Sequence, residues 1–110
     1  MEATLILPAG KFIVVMDTLC SGWSTWLDDQ NYPVMWDSYR EAFMEMFNDA
    51  YEWHYDNQEY STMSASDLVT MNSLNESKDY AQMVLFWESH PEANEHDEWI
   101  EPSETFQLGK

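Results

Sequence analysis

From Val34 to Tyr60 the apolar residues recur at intervals of three and four: Trp36, Tyr39, Phe43, Met46, Phe47, Ala50 and Trp53. That period belongs to a helix, because a strand would scatter these residues over both its faces. The stretch predicts one long helix from about Asp37 to about Asn57 with a single buried stripe. Asp37, in the first turn, suits the positive end of the helix dipole. The opposite edge is acidic. At about 100° per residue, Asp37, Glu41, Glu45, Asp49, Glu52, Asp56 and Glu59 fall within roughly a third of the circle. At 1.5 Å per residue the row spans about 33 Å. Arg40 is the one cation in the stretch. Like charges three and four residues apart each cost a few tenths of a kcal/mol, so helix stability does not favour this pattern.

The flanking sequence is mixed. Thr4 to Leu7 and Phe12 to Met16 are short apolar runs separated by Pro8-Ala9-Gly10-Lys11, the pattern of a β-hairpin. Neither run alternates, which predicts strands covered on both faces. Trp23 to Leu27 reads as a third strand or as one turn of helix. Asp28 to Asn31 is a polar loop closed by Tyr32-Pro33. Beyond the long helix, Ser64-Ala65-Ser66-Asp67 has the form of a capping box with Asp in place of Glu. It opens a short helix through Leu68, Met71 and Leu74. Asn75 or Ser77 is expected to cap the next helix, through Tyr80, Met83, Val84 and Trp87, with Pro91 stopping it after His90. Residues 92–110 read as an acidic tail, tacked down at Trp99-Ile100 and at Phe106 with Leu108 and frayed elsewhere. The expected class is α+β: a small N-terminal antiparallel β-hairpin or three-stranded sheet packed on two or three helices, the longest at about 37–57. One domain over residues 1–110 fits the length.

Charge restricts function. Twenty-one Asp and Glu face only Lys11, Arg40, Lys78 and Lys110, for a net charge of −17. Small soluble domains usually carry a magnitude of about 2–8. Six Trp, six Tyr and five Phe argue against a disordered acidic tail, which would be poor in aromatics. Direct binding to nucleic acid is excluded, since that requires Lys and Arg to displace counterions. Anionic lipid would repel the chain. A cationic protein or a metal ion remains as partner. The lone Cys20 allows no intrachain disulfide and favours a cytoplasmic setting. The N-terminus, with Glu2 and with Pro8, Gly10 and Lys11 interrupting its apolar run, does not read as a signal peptide. No apolar run approaches the roughly 20 residues of a membrane span.

Catalysis and cofactors find little support. Carboxylates spread along a solvated helix lack the burial that raises a general acid's pKa, so no enzyme activity is expected. His90, His96, Glu92, Glu95 and Asp97 lie close in sequence but match no zinc spacing, and no calcium loop with Gly at its sixth position occurs. No metal or cofactor is therefore expected. Cys20 reads as a small hydrophobe. His54 falls on the apolar side of the long helix and reads as a packed core-edge histidine. Three glycines leave no phosphate-binding loop. Tyr51 and Tyr55 border the acidic edge.

One strand of DNA carries about one charge per 3.4 Å, roughly ten over the length of the acidic row against its seven. Glu88, Glu92, Glu95, Asp97, Glu98 and Glu101 would supply a second row if the tail lay beside the helix, and Asp28 and Asp29 would extend either row. Small size, extreme acidity, aromatic richness and an acid-striped helix together resemble the phage-encoded DNA-mimic inhibitors, among them anti-CRISPR and anti-restriction proteins. The resemblance is of type rather than of motif. It implies an inhibitor that occupies the DNA- or RNA-binding surface of a host defence nuclease, a CRISPR effector or restriction enzyme, in the cytoplasm of a bacterial cell. The chain would act as a monomer or dimer through Asp37, Glu41, Glu45, Asp49, Glu52, Asp56, Glu59, Glu92, Glu95, Asp97 and Glu98. Two other readings stay open: an immunity protein or antitoxin that neutralises a basic toxin, and a generic acidic domain of halophilic or accessory kind.

Overall fold

A computed structural model describes residues 5–7, 9–18, 22–105 and 107–108. The class is α+β, with a small three-stranded antiparallel sheet and three helices. The chain divides into two compact units, Met1–Phe43 with Glu98–Lys110, and Met44–Asp97.

In the first unit the sheet has the order β3-β2-β4, from Gly22–Thr25, Phe12–Thr18 and Glu98–Pro102. The expected hairpin between the first two apolar runs does not form. The first run instead supplies β1 (Leu5–Ile6), which pairs with β5 (Gln107–Leu108) in a separate two-stranded sheet. The reason lies in β2. Val15 to Thr18 pair with β3 along one edge, and Phe12 to Met16 pair with β4 along the other. Phe12 also exchanges both backbone hydrogen bonds with Trp36, at 2.9 Å each. With both edges taken, β1 has no place beside β2. The same arrangement explains the run that failed to alternate: Ile13, Val14 and Val15 are all 0% exposed. Ile13 and Val15 share one face with Leu7, Met35 and Trp99. The ambiguous Trp23 segment falls in β3, so it is strand rather than helix. In the loop that follows, the Asp28 carboxylate accepts from the backbone N–H of Gln30 and of Tyr32, at 2.8 and 3.0 Å. This is an Asx-type turn that engages Asp28 locally.

The long helix, α1, runs Tyr39–Asp56, within two residues of expectation. Ser38 starts it by accepting from the Glu41 N–H at 3.1 Å, which satisfies one of the orphan donors of the first turn. The stripe is buried as its period demands, through Ala42, Phe43, Met46, Phe47 and Ala50. Tyr39 departs from it and is exposed.

In the second unit α2 (Ala65–Ser77) begins at the foreseen cap, Ser64 Oγ accepting from Asp67 N–H at 3.1 Å. Helix α3 (Tyr80–Ser89) is capped by Asp79 rather than by Asn75 or Ser77. The difference arises because α2 continues through both residues and closes at Lys78 in the left-handed conformation. Pro91 follows the end of α3 and opens a 3₁₀ turn, Pro91–Ala93. Phe47 of α1 meets Phe86 and Trp87 of α3 at ring-centroid distances of 6.1 and 6.0 Å. Met71 of α2 and Met83 of α3 are fully buried. No helix among the described residues is long and apolar enough to cross a membrane. Cys20 lies outside the described residues.

Candidate functional site

Five of the seven carboxylates of the sequence row lie on α1: Glu41, Glu45, Asp49, Glu52 and Asp56. All five are exposed. At about 100° per residue they occupy an arc of about 80°, and consecutive members rise about 4.5–6 Å along the axis. The row on the helix is thus about 22 Å long rather than 33 Å. Asp37 precedes the helix and Glu59 follows it in a turn, so neither extends the regular spacing. Asp37 is also ion-paired to Lys11, the residue just before β2, a relief of charge invisible in local sequence.

The edge is bounded by aromatic rings. Tyr51 and Tyr55 lie on one side, their centroids 6.0 Å apart, with Tyr55 largely exposed. On the other side Trp53 stands edge-to-face between the imidazoles of His54 and His96, at 5.1 and 5.2 Å. Asn48 Nδ2 donates to Glu52 Oε1 at 3.4 Å and so restrains one carboxylate of the row. The Asp49 carboxyl is pushed above its ordinary value of 3.8, first by desolvation, then by the negative charge of Glu52, with His96 drawing it partly back. Desolvation likewise raises the Tyr51 phenol above 10.0, helped by Tyr55 and by Glu76 of α2. Glu76 thus adds its field to the Tyr51 side of the edge, a contribution that only the packing of α2 reveals.

The raised Asp49 pKa has a definite sign. The folded state holds this proton more tightly than the unfolded chain does. The group's stabilising contribution is complete below the ordinary aspartate pKa and is lost as pH rises through the raised value. At neutral pH the ionised carboxylate therefore opposes folding. Asp49→Asn is expected to stabilise the protein at pH 7 by a few tenths of a kcal/mol, given the exposure of the group. The gain should shrink as the buffer is taken down through the carboxylate range. Urea unfolding of both proteins at the two pH values checks it, and a destabilised Asp49→Asn at pH 7 would contradict it.

The tail carboxylates are dispersed. Glu95 and Asp97 are exposed. Glu92 is half-buried and turns to Asp67 and His90. Glu98, counted among the partner-binding residues from sequence, is 6% exposed and is not available to a partner. It belongs to β4, where its Oε2 accepts from the Trp26 indole N–H at 2.8 Å. Five residues of what read as a tail, Glu98–Pro102, are therefore an integral strand. Within the second unit the tail meets α1 at Ala93, whose carbonyl accepts from His54, and at His96, whose ring packs on Trp53. His54 lies well away from the acidic arc on the helical wheel. Removing the buried carboxylate strands the indole N–H, and Glu98→Ala is expected to cost about 1–3 kcal/mol in chemical denaturation. Glu95→Ala, an exposed control, should stay within about 0.5 kcal/mol of the parent.

One grouping escaped the sequence reading. His90 and Glu92 lie close in sequence, and their third neighbour in space is Asp67, in the first turn of α2. No protein-family model matches the chain, and no curated protein and no solved structure matches it either.

Proposed function

We propose that the protein is an inhibitor that presents the acidic edge of α1 to a cationic groove in a nucleic-acid-binding protein, in the manner of a nucleic-acid mimic. The observation that carries this reading is the set of five exposed carboxylates on one narrow arc of a single helix, bordered by Tyr51 and Tyr55. A helix holds its charges preorganised, so little ordering entropy is lost on binding. Carboxylates spaced about 4.5–6 Å apart are sparser than the phosphates of one strand, at one per 3.4 Å, but still form a continuous negative line. Lys and Arg that normally hold phosphates would pair with it. Long-range attraction would speed association and weaken with salt. The tyrosines would give the rim an apolar, hydrogen-bonding character, as interface anchors often do.

The test is capture followed by competition. The immobilised protein is used as bait in bacterial lysate at moderate salt, and whatever is retained is assayed for nucleic-acid binding. The reading expects a nuclease or another nucleic-acid-binding protein whose DNA or RNA competes with this chain for the same surface. Retention of a small basic toxin would move the assignment to an immunity protein. Retention of nothing basic would leave the acidic edge as a solvated helix face.

A further inference from the structure

Asp67, His90 and Glu92 come from three elements of the second unit: the first turn of α2, the residue that closes α3, and the 3₁₀ turn Pro91–Ala93. One oxygen from each carboxylate and one ring nitrogen of His90 lie within 4.8 Å of one another, and all three residues are half-buried. None of them belongs to the acidic edge of α1.

The state of His90 follows from its neighbours. Nδ1 lies 3.0 Å from the Phe86 carbonyl oxygen, which can only accept, so Nδ1 carries a hydrogen. Ser89 Oγ donates its own proton to the Leu85 carbonyl at 2.8 Å, and at 3.1 Å from Nδ1 it is a second acceptor for that N–H. The imidazole stacks on Phe86, with centroids 4.1 Å apart and planes 15° from parallel, which holds the ring's orientation. Nε2 is left pointing at Asp67 Oδ1, 3.5 Å away. Histidine ligands of metals are oriented in this way: one ring N–H donates to a backbone carbonyl and the other nitrogen faces the ion.

The separation also suits an ion. A nitrogen–oxygen hydrogen bond prefers about 2.9–3.0 Å, so 3.5 Å is long for a direct bond. Two N/O ligands at about 2.0–2.1 Å from a tetrahedral zinc ion stand roughly 3.3–3.4 Å apart. The His90–Asp67 pair is already close to that edge length. Glu92, on a longer side chain, lies within 4.8 Å of the other two ligand atoms, so it needs to close by at most about 1.5 Å. The imidazole disfavours calcium and magnesium, which prefer oxygen ligands, and suits a borderline cation.

We infer that Asp67, His90 and Glu92 form a site for one Zn²⁺ ion, held by the His90 Nε2 and one oxygen from each carboxylate, with water completing the shell. Binding there would clip the first turn of α2 to the end of α3 and to the 3₁₀ turn.

The test is a calorimetric titration of Zn²⁺ into the metal-stripped 110-residue chain, with excess Mg²⁺ present to occupy weak sites on the acidic surface. The expected result is one saturating event and a melting temperature that rises with Zn²⁺. His90→Gln, Asp67→Asn and Glu92→Gln should each weaken binding by roughly tenfold or more, whereas Glu45→Gln with Asp49→Asn should leave it unchanged. Asp67→Asn keeps its backbone N–H for Ser64, so it decides the matter should His90→Gln fail to fold. Co²⁺ in place of Zn²⁺ should give visible absorption bands that the His90 variant alters. Wild-type affinity in folded Asp67→Asn, or equal losses whichever carboxylates are removed, would overturn the assignment and leave a plain His–Asp contact.

Discussion

A chain carrying Glu45→Lys, Asp49→Lys and Glu52→Lys together is expected to lose its hold on the captured partner by at least a hundredfold while remaining folded. The magnitude follows from the sign of each contact. Two unit charges about 4 Å apart are worth about 1 kcal/mol in bulk water and more at a partly desolvated surface. Reversal removes an attraction and installs a repulsion of similar size. Even with heavy discounting for screening and side-chain entropy, three such changes should exceed about 3 kcal/mol, and each 1.4 kcal/mol is a factor of ten. The folded state should be unharmed or improved, because the substitutions break a run of like charges on α1 and give Glu41 and Asp56 opposite-charge neighbours at i,i+4. Stability and binding should therefore move in opposite directions. Surface resonance at two ionic strengths measures the first quantity and thermal unfolding the second. Retained binding by a stable triple variant would remove α1 from the interface.

His54→Ala is expected to destabilise the protein by about 3 kcal/mol, the largest effect of any single substitution considered. His54 is 0% exposed, and both of its ring nitrogens are used. Nε2 lies 3.0 Å from the Ala93 carbonyl, which only accepts, so the hydrogen is on Nε2. Nδ1 is then an acceptor when the ring is neutral, and Ser61 Oγ, 2.5 Å away, is its donor. Ser61 Oγ in turn accepts from the Met63 N–H at 3.1 Å. One side chain thus ties α1 to the turn after it and to Pro91–Ala93. Alanine leaves a cavity the size of the ring and strands a hydroxyl and a carbonyl, each costing about 1–3 kcal/mol if it stays dry. Denaturant unfolding gives the size directly. A loss below about 1 kcal/mol would mean that water or local rearrangement replaces both bonds. His54→Gln, which can reproduce one bond, should recover part of the loss.

The acidic edge and His54 differ in how much of each is carried by the linear sequence. The acidic edge was legible because it depends on a period, and a period survives in one dimension. Glu41, Glu45, Asp49, Glu52 and Asp56 stand on α1 as their spacing required, opposite the buried Phe43, Met46, Phe47 and Ala50. Local chemistry was legible for the same reason: Ser64 caps α2 because its hydroxyl needs only a residue three positions on. The burial of His54 could be anticipated from its side of the helix, but its two partners could not, since one lies 39 residues away.

Long-range pairing was out of reach of the linear pattern. The short apolar runs before and after Gly10 carry every local sign of a hairpin, yet β2 takes β3 and β4 as neighbours and β1 pairs with β5. Strand partners are chosen by which edges and faces remain uncovered, and that depends on segments about 90 residues distant. The same cause misassigned Glu98. As a carboxylate in an acidic tail it resembled Glu95, and only the register that sets it in β4, with the Trp26 indole within reach, makes it a buried acceptor. Asp67 joins His90 and Glu92 for the same reason, because α2 brings it in space to the end of α3 although it lies more than twenty residues earlier in the chain. Amino-acid order determined the helix, its two faces and the excess of negative charge, because these depend on composition and on neighbours within a turn. Tertiary structure decided which carboxylates stay in solvent, which are engaged by the fold and which converge, because those outcomes depend on what each side chain meets.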